Sequence, residues 1–459
     1  MNANDYCRSR GNEALVNRGL RASSFGFRTS CFEFRISDFG FNLTDSSRRL
    51  LQRWGAFLFL VTPSRAANAL SQRPGRRFSL SPAEGERAGV RGPPGRSPLR
   101  GSWTVTQILL TFALIFPLCA ANLSLFACTT FVLAGGQRVY LGKNLDWDWD
   151  SGMVIVNSRH VHKRAFVLAT NAVEWTSKYG SITLNQFGRE LPFGGMNEKG
   201  LVVENMWLSE TKYPNPDPRP EINMLQWIQF QLDTCATVAE VVETDKRIRL
   251  ENTPILARIH YLVADAQGDC AVVEFVNGKS IVRRGKNLPL HALANGIYDQ
   301  DATYLRSHPH PQKGEDSVLR FCRAAVRATE FKPGKNSAQD VDYAFETLEN
   351  VRQGNYTAWQ VVYDISGRQV HFRTRTNPQR RSVGLANLDF ACAHPPRYVD
   401  IQADPSKNGQ LEFHDLRDAE QRDYVTRFVS QDSVKKEVGD LSPIMPLWLM
   451  ALHTYSCGE

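Results

Sequence analysis

From Cys128 onward the chain alternates apolar and polar positions in short runs. "CTTFVLA", a Gly135-Gly136 pair and "QRVYLGKN" form one pattern: two strands joined by a tight turn. Residues 153–158 (MVIVNS), 181–186 (SITLNQ) and 200–208 (GLVVENMWL) predict further strands. The spacing changes to helical over 221–235 and again over "TVAEVVETDKRI". "RIHYLVADAQGDCAVVEFVNGKSIVRRG" returns to strands around polar turns. Helices are predicted over 317–331 and 337–351, and a last hairpin over 357–374. Two sets of hairpins flanking pairs of helices predict an α+β domain, with two mainly antiparallel sheets and helices on their outer faces.

The first hundred residues break this pattern. They show no sustained period, and "RPGRRFSLSPAEGERAGVRGPPGRSPLR" is rich in Arg, Gly and Pro. Such a segment buries too little apolar surface to offset its ordering entropy. Residues 1–100 are expected to be an Arg-rich disordered leader, translated from a start placed too early. An apolar run from Ile108 to Leu118 follows Arg100, with small residues at Ala120, Ala121 and Ala127. Its length suits a signal-peptide core and is too short to span a bilayer comfortably, so 101–127 reads as a secretory signal. The body is then 128–425. Residues 426–459 hold "LSPIMPLWLMALH", too short and too broken by proline for a membrane span, and receive no role.

Charge follows the same division. The 459 residues carry a net +8, but residues 1–100 hold 17 Arg, no Lys and 7 acidic residues. The rest has 38 basic and 40 acidic residues, so the body has no electrostatic footprint for nucleic acid. The nine cysteines include no CxxC pair and read as neither a disulfide framework nor a zinc site. His160, His162, His308 and His310 lack partners at metal-ligand spacing. No metal or cofactor is expected.

Cys128 stands where the signal would be cut. Cleavage after Ala127 would leave a residue with both a thiol and a free α-amine, a nucleophile carrying its own base. A buried strand cysteine, a lipidation site and a protease of Cys–His type are the competing readings.

Around Cys128 the motifs "CTTFV" (128–132), "GKNLDW" (142–147), "EWTSKYGS" (174–181), "GMNEKGLVVENMWL" (195–208), "ANG" (294–296) and "LRFCRAA" (319–325) occur in one order. In this order the sequence resembles the choloylglycine hydrolase family of N-terminal-nucleophile enzymes, which includes penicillin V acylases and bile salt hydrolases. "EWTSKYGS" and "MWLSETKYP" look most like the exported acylases of Gram-negative bacteria, the group with penicillin V and acyl-homoserine-lactone acylases. The resemblance implies a four-layer αββα sandwich and a periplasmic or secreted bacterial amidohydrolase. It makes Cys128 the nucleophile and base, and Asp146 the carboxylate that holds the α-amine. It makes Asn295 an oxyanion donor, the backbone N–H of Trp207 another, and Arg320 an arginine beside the thiol. Trp147, Trp175 and Phe193 are expected, with Trp207, to form an apolar acyl pocket. Lys143 stands where the family usually has Arg, and is expected to tune the thiol rather than clamp a carboxylate. A small-molecule amide is the expected partner, with oligomeric state open. A conjugated bile salt hydrolase, and an inactive or lipid-anchored binding protein, are the alternatives.

Overall fold

The computed structural model describes residues 26–29, 32–35, 127–167, 169–252 and 257–458. The chain divides into two units, Met1–Gly101 and Ser102–Glu459. In the first, Gly26–Thr29 and Phe32–Arg35 pair as antiparallel strands. The leader expected over 1–100 otherwise lies outside the described residues, and so does the signal peptide, except for Ala127.

The second unit opens on the predicted hairpin. Strands β1 (Ala127–Gly135) and β2 (Arg138–Asp146) turn at Gly136, whose φ of 60° is the left-handed conformation glycine takes without a Cβ clash. The other strands of the two large sheets are β3 (Met153–Asn157), β4 (Ser181–Asn185), β5 (Gly194–Asn197), β6 (Val202–Trp207), β7 (Ile259–Ala264), β8 (Cys270–Val276), β9 (Lys279–Arg284), β10 (Ala292–Leu293), β11 (Thr357–Asp364), β12 (Gln369–Thr374), β13 (Arg381–Gly384), β14 (Arg397–Asp400) and β15 (His414–Asp415). They form a six-stranded sheet, ordered β10-β1-β2-β11-β12-β13, and a nine-stranded sheet, ordered β9-β8-β7-β6-β5-β4-β3-β14-β15. All neighbours in both are antiparallel.

The sheets face each other through β1 against β6 and β7. Helices α4 (Ser317–Glu330) and α5 (Ser337–Asn350) cover the six-stranded sheet, and α1 (Met224–Thr234) covers the nine-stranded one. This is the expected αββα sandwich. Central strands are covered on both faces, so β3 and β11 are buried at every position and their sequences run apolar instead of alternating. One core cluster lies between the sheets and under α4 and α5, and includes Cys128. A second joins α1 to the nine-stranded sheet.

The helix predicted from 221 begins later. The Asn223 side chain accepts from the Leu225 N–H as an N-cap, and Glu221–Ile222 pair in parallel with Arg249–Leu250. Helix α2 (Val238–Thr244) starts at a capping box of Thr237 and Glu240. Helix α3 (Tyr298–Ser307) has no counterpart in the predicted elements.

The expected boundary at 425 falls inside helix α6 (Asp418–Val429), which is followed by α7 (Asp432–Val438) and α8 (Met445–Leu452). This segment is packed down. Phe428 meets Phe187 at 4.5 Å and Trp149 at 5.2 Å between ring centroids, and Trp448 and Leu449 enter the main core. Ser456–Cys457 pair with Val161–Arg164, and Cys457 forms a disulfide with Cys392. That bond corrects the expectation of no disulfide. The two cysteines lie 65 residues apart, and only folding brings them together. No described helix is long and apolar enough to cross a membrane.

Closing a loop of 65 residues removes denatured-state entropy. Replacing both Cys392 and Cys457 by Ser should therefore lower stability by up to about 4 kcal/mol in denaturant titrations. Limited proteolysis should then cut the 418–457 segment before the sheets.

Candidate active site

Sheet register gathers the candidate residues. Cys128 sits opposite Leu145, and Asp146 opposite Ala127 on one side and Thr357 of β11 on the other. Strand β10 pairs with Thr130 and Phe131 on the free edge of β1, so the next residues, Ala294 and Asn295, emerge beside Cys128. Helix α4 packs on β1 and turns Arg320 inward from its first turn.

Arg320 is 2% exposed. Its Nη1 donates to the Cys128 carbonyl (2.7 Å) and to Thr129 Oγ1 (2.5 Å), and lies 3.4 Å from Asp146 Oδ2. Its Nη2 donates to Asn295 Oδ1 at 2.9 Å, and its Nε to the Glu315 carbonyl at 2.9 Å. Asn295 Oδ1 also accepts from the Cys128 N–H at 2.8 Å, while Asn295 Nδ2 donates to the Trp207 carbonyl at 2.8 Å. Two donors on one side and a carbonyl on the other fix which way the amide points. Thr357 Oγ1 donates to Asp146 Oδ1 at 2.5 Å. Cys128, Asp146, Asn295 and Arg320, spread over 193 positions of sequence, are thus one hydrogen-bonded cluster.

Lys143 is also buried, but points toward the nine-stranded sheet. Its Nζ donates to the Asn205 carbonyl and lies 3.3 Å from Glu204 Oε2. Glu204 Oε1 accepts from Tyr363 Oη at 2.6 Å. Glu204 is a residue that pattern reading passes over. An acid inside the apolar strand "VVENMW" is the signal that could have found it. A Cβ on Gly194 would overlap its carboxylate, which is why β5 carries glycine there.

Burial dominates the electrostatics. It pushes the Cys128 thiol above its ordinary range. The Lys143 charge opposes that most, the Asp146 carboxylate adds to it, and the Asp146 backbone N–H and Arg320 pull down. Burial lifts the Asp146 carboxyl to about 6, against Arg320, the Thr357 hydroxyl and Lys143. Glu204 is raised by burial too, with Lys143 and Tyr363 opposing.

The aromatic residues divide. Trp147 is fully buried in the main cluster, and Phe193 packs between both clusters, 6.5 Å from Trp359. Trp207 is half-buried and contributes its carbonyl to Asn295. Trp175 belongs to the second cluster, where its Nε1 donates to Asp233 Oδ2 at 2.8 Å and its ring meets Phe230 edge-on. Its place is in the packing of α1.

Residues 128–309 match the model of the linear amide C–N hydrolases, choloylglycine hydrolase family. This part of the chain is similar to that family. Penicillin V acylase of Pectobacterium atrosepticum is 26% identical over 314 residues, which cover 58% of this chain and 82% of that protein. The structure of penicillin V acylase from Agrobacterium tumefaciens aligns at 25% identity with a TM-score of 0.55, covering 63% of this chain and 98% of that one. A variant of conjugated bile acid hydrolase from Clostridium perfringens aligns at 16% identity and a TM-score of 0.49, covering 63% and 97%. The chain is a hydrolase of linear amide C–N bonds, similar over residues 128–309 to the choloylglycine hydrolase family and to penicillin V acylase.

The Lys143–Glu204 pair makes a separable prediction. Lys143→Met leaves a buried carboxylate without its cation and should cost about 3–5 kcal/mol near neutral pH. A carboxyl whose folded pKa lies above its unfolded value of 4.5 loses stability as pH rises, so the loss should be larger at pH 8 than at pH 5. Glu204→Gln in the same chain should recover most of it, read from urea unfolding at both pH values. Alkylation of Cys128 by iodoacetamide should move to higher pH in Lys143→Met, because the largest charge favouring the thiolate is gone.

Proposed function

We propose that the protein is an exported cysteine amidohydrolase that acts once Cys128 has become the N-terminal residue. The observation that carries this is the position of the Cys128 nitrogen, 2.8 Å from Asn295 Oδ1 inside the Arg320 cluster. With Ala127 removed, that nitrogen is an amine, and Asp146 is the carboxylate available to hold its ammonium form. Three further observations support the reading. The family match begins at Cys128. Burial keeps the thiol protonated at rest, so attack requires a neighbouring base. The Cys392–Cys457 disulfide suits an oxidising compartment outside the cytoplasm.

The reaction follows from these parts. The α-amine takes the proton from Sγ, and Sγ attacks the amide carbonyl carbon. The resulting oxyanion is held by Asn295 Nδ2, which carries a second N–H besides the one on the Trp207 carbonyl, and by a backbone N–H at Trp207. Such donors contribute about 2.7–4 kcal/mol each to transition-state stability. The C–N bond breaks as the ammonium gives its proton to the leaving amine, leaving a thioester on Cys128. Water, deprotonated by the same amine, attacks the thioester carbon; the C–S bond breaks and the thiol is restored. The substrate is an amide with an apolar acyl group, lodged among Trp147, Phe193 and Trp207. Penicillin V and N-acyl-homoserine lactones both fit this class.

Intact mass of active enzyme purified from its native compartment should correspond to a chain starting at Cys128. Active enzyme with residues 122–127 still attached would sink the proposal, since an amide nitrogen cannot serve as the base. Cys128→Ser should keep the fold and lose most turnover of penicillin V, because the serine hydroxyl is far harder to deprotonate with the same base.

Activity should also show an acid limb. The carboxylate form of Asp146 holds the ammonium and is lost as pH falls through its folded pKa of about 6. The α-amine, ordinarily titrating at pH ~8, must be neutral to act as the base. As pH falls, kcat/KM should therefore drop first as the amine protonates and again as Asp146 loses its charge, at or below about 6 with an ammonium alongside. Asp146→Asn should abolish the lower step and leave the one set by protonation of the α-amine.

A further inference from the structure

On the nine-stranded sheet behind Asn295 lies a buried pair that the reaction above does not use. His260 on β7 and Glu274 on β8 are cross-strand neighbours, 0% and 1% exposed, with His260 Nδ1 3.2 Å from Glu274 Oε1. His260 Nε2 is 2.8 Å from the carbonyl oxygen of Ala294. A carbonyl only accepts, so Nε2 carries a proton and donates it. Glu274 Oε1 also accepts from the backbone N–H of Tyr298 at 2.9 Å. The pair therefore holds the chain immediately before Asn295 and three residues after it.

The placement has a specific effect. Ala294 continues from β10, at the edge of the six-stranded sheet that carries Cys128. His260 pairs in register with Met206, the neighbour of Trp207 whose carbonyl receives Asn295 Nδ2. The imidazole thus spans the two sheets where the Asn295 amide must meet both Cys128 and Trp207. Ser317 adds a third restraint through the Asn295 N–H at 2.7 Å. The tight turn after Asn295 has no spare room: a Cβ on Gly296 would come within 2.5 Å of Asp301 Oδ1. Two buried polar side chains in adjacent strands of a hydrophobic sheet are costly unless satisfied. Here their hydrogen bonds are directed at the backbone of one five-residue segment.

We propose that His260 and Glu274 are positioning residues for Asn295, setting the distance of its amide from the Cys128 reaction centre. The proposal rests on the oxyanion role given to Asn295 above. Neither residue touches the reacting atoms. They act by denying the 294–298 segment the small displacement that a catalytic donor does not tolerate, since a shift of about 1 Å can cost roughly 100-fold in rate.

The test is a double-mutant cycle on the mature enzyme, with penicillin V as substrate, between His260→Leu and Asn295→Ala. Asn295→Ala alone should lower kcat by roughly 100- to 1,000-fold. His260→Leu alone should lower kcat at least about tenfold with KM little changed, as expected when only transition-state contacts are lost. Added to Asn295→Ala, it should lower kcat by no more than about threefold further, because the amide it positions is already gone. His260→Gln, which keeps a donor toward Ala294, should recover part of the single-variant loss. The rate of Cys128 alkylation should be unchanged throughout, marking an intact nucleophile.

Multiplicative losses would overturn the positioning role and leave Asn295 as the donor. An Asn295→Ala enzyme with normal kcat would overturn the oxyanion assignment itself, and this inference with it. If His260→Leu does not fold, the same cycle is run with Glu274→Gln, which keeps the volume and the acceptor for Tyr298 but removes the charge facing His260. Multiplicative losses there count equally against the proposal.

Discussion

The burial of one guanidinium organises this molecule. Arg320 is taken out of water almost completely, and such a cation is tolerable only if most of its N–H groups find acceptors. Its partners come from four places: the Cys128 carbonyl and Thr129 hydroxyl on β1, Asp146 at the end of β2, Asn295 after β10, and the Glu315 carbonyl just before α4. The planar fork of arginine fixes directions as well as distances, so these four segments share one arrangement. The same contacts explain the charge balance. Asp146 is lifted by burial, and Arg320 is the largest influence holding it down. The cluster is therefore a scaffold and a reaction centre with the same bonds.

The sandwich supplies what a cluster of this kind needs. Strand β1 faces β6 and β7 across the gap between the sheets, and α4 closes its other side. Water is excluded from both directions, which strengthens each hydrogen bond and makes every unpaired group expensive. Another buried cation, Lys143, is matched by Glu204 from the opposite sheet. A further buried ionic group, Lys163 with Glu190 and Asp233, ties the Val161–Arg164 strand to the loop after β4 and to α1. Each joins elements distant in sequence, so the polar interior works as a set of register pins between layers.

How much of this could be read in the chain differs by kind of signal. The β1–β2 hairpin was legible because a glycine turn and strand alternation are local, and α4 and α5 were legible from helical spacing. Cys128, Asp146, Asn295 and Arg320 were reached through motifs in a fixed order, although Arg320 by its own pattern looks like a solvated helix face. Glu204, His260 and Glu274 are each a single polar residue in an apolar strand; the partner of Glu204 lies in the other sheet, and the hairpin pattern that pairs the strands of His260 and Glu274 says nothing of the Ala294 carbonyl and Tyr298 N–H they hold. Residue type alone points Trp175 to the acyl pocket, while its neighbours Phe230 and Asp233 come from a helix about 55 residues away. The C-terminal helices were hidden by prolines that break the apolar run, one of which, Pro446, sits in the first turn of α8, where a missing N–H costs nothing. Cys392 and Cys457 meet only through the tertiary fold.

The strand Ser456–Cys457 has a consequence for how the chain is made. It pairs with Val161–Arg164, synthesised about 300 residues earlier. While the chain is being made, the edge of that earlier strand waits, unpaired, until Ser456 and Cys457 have been synthesised. Contacts of such long range close late in folding. The two-residue strand is thus the fastener of that edge, and a chain cut before Ser456 would keep its two large sheets and leave the edge open to neighbouring chains.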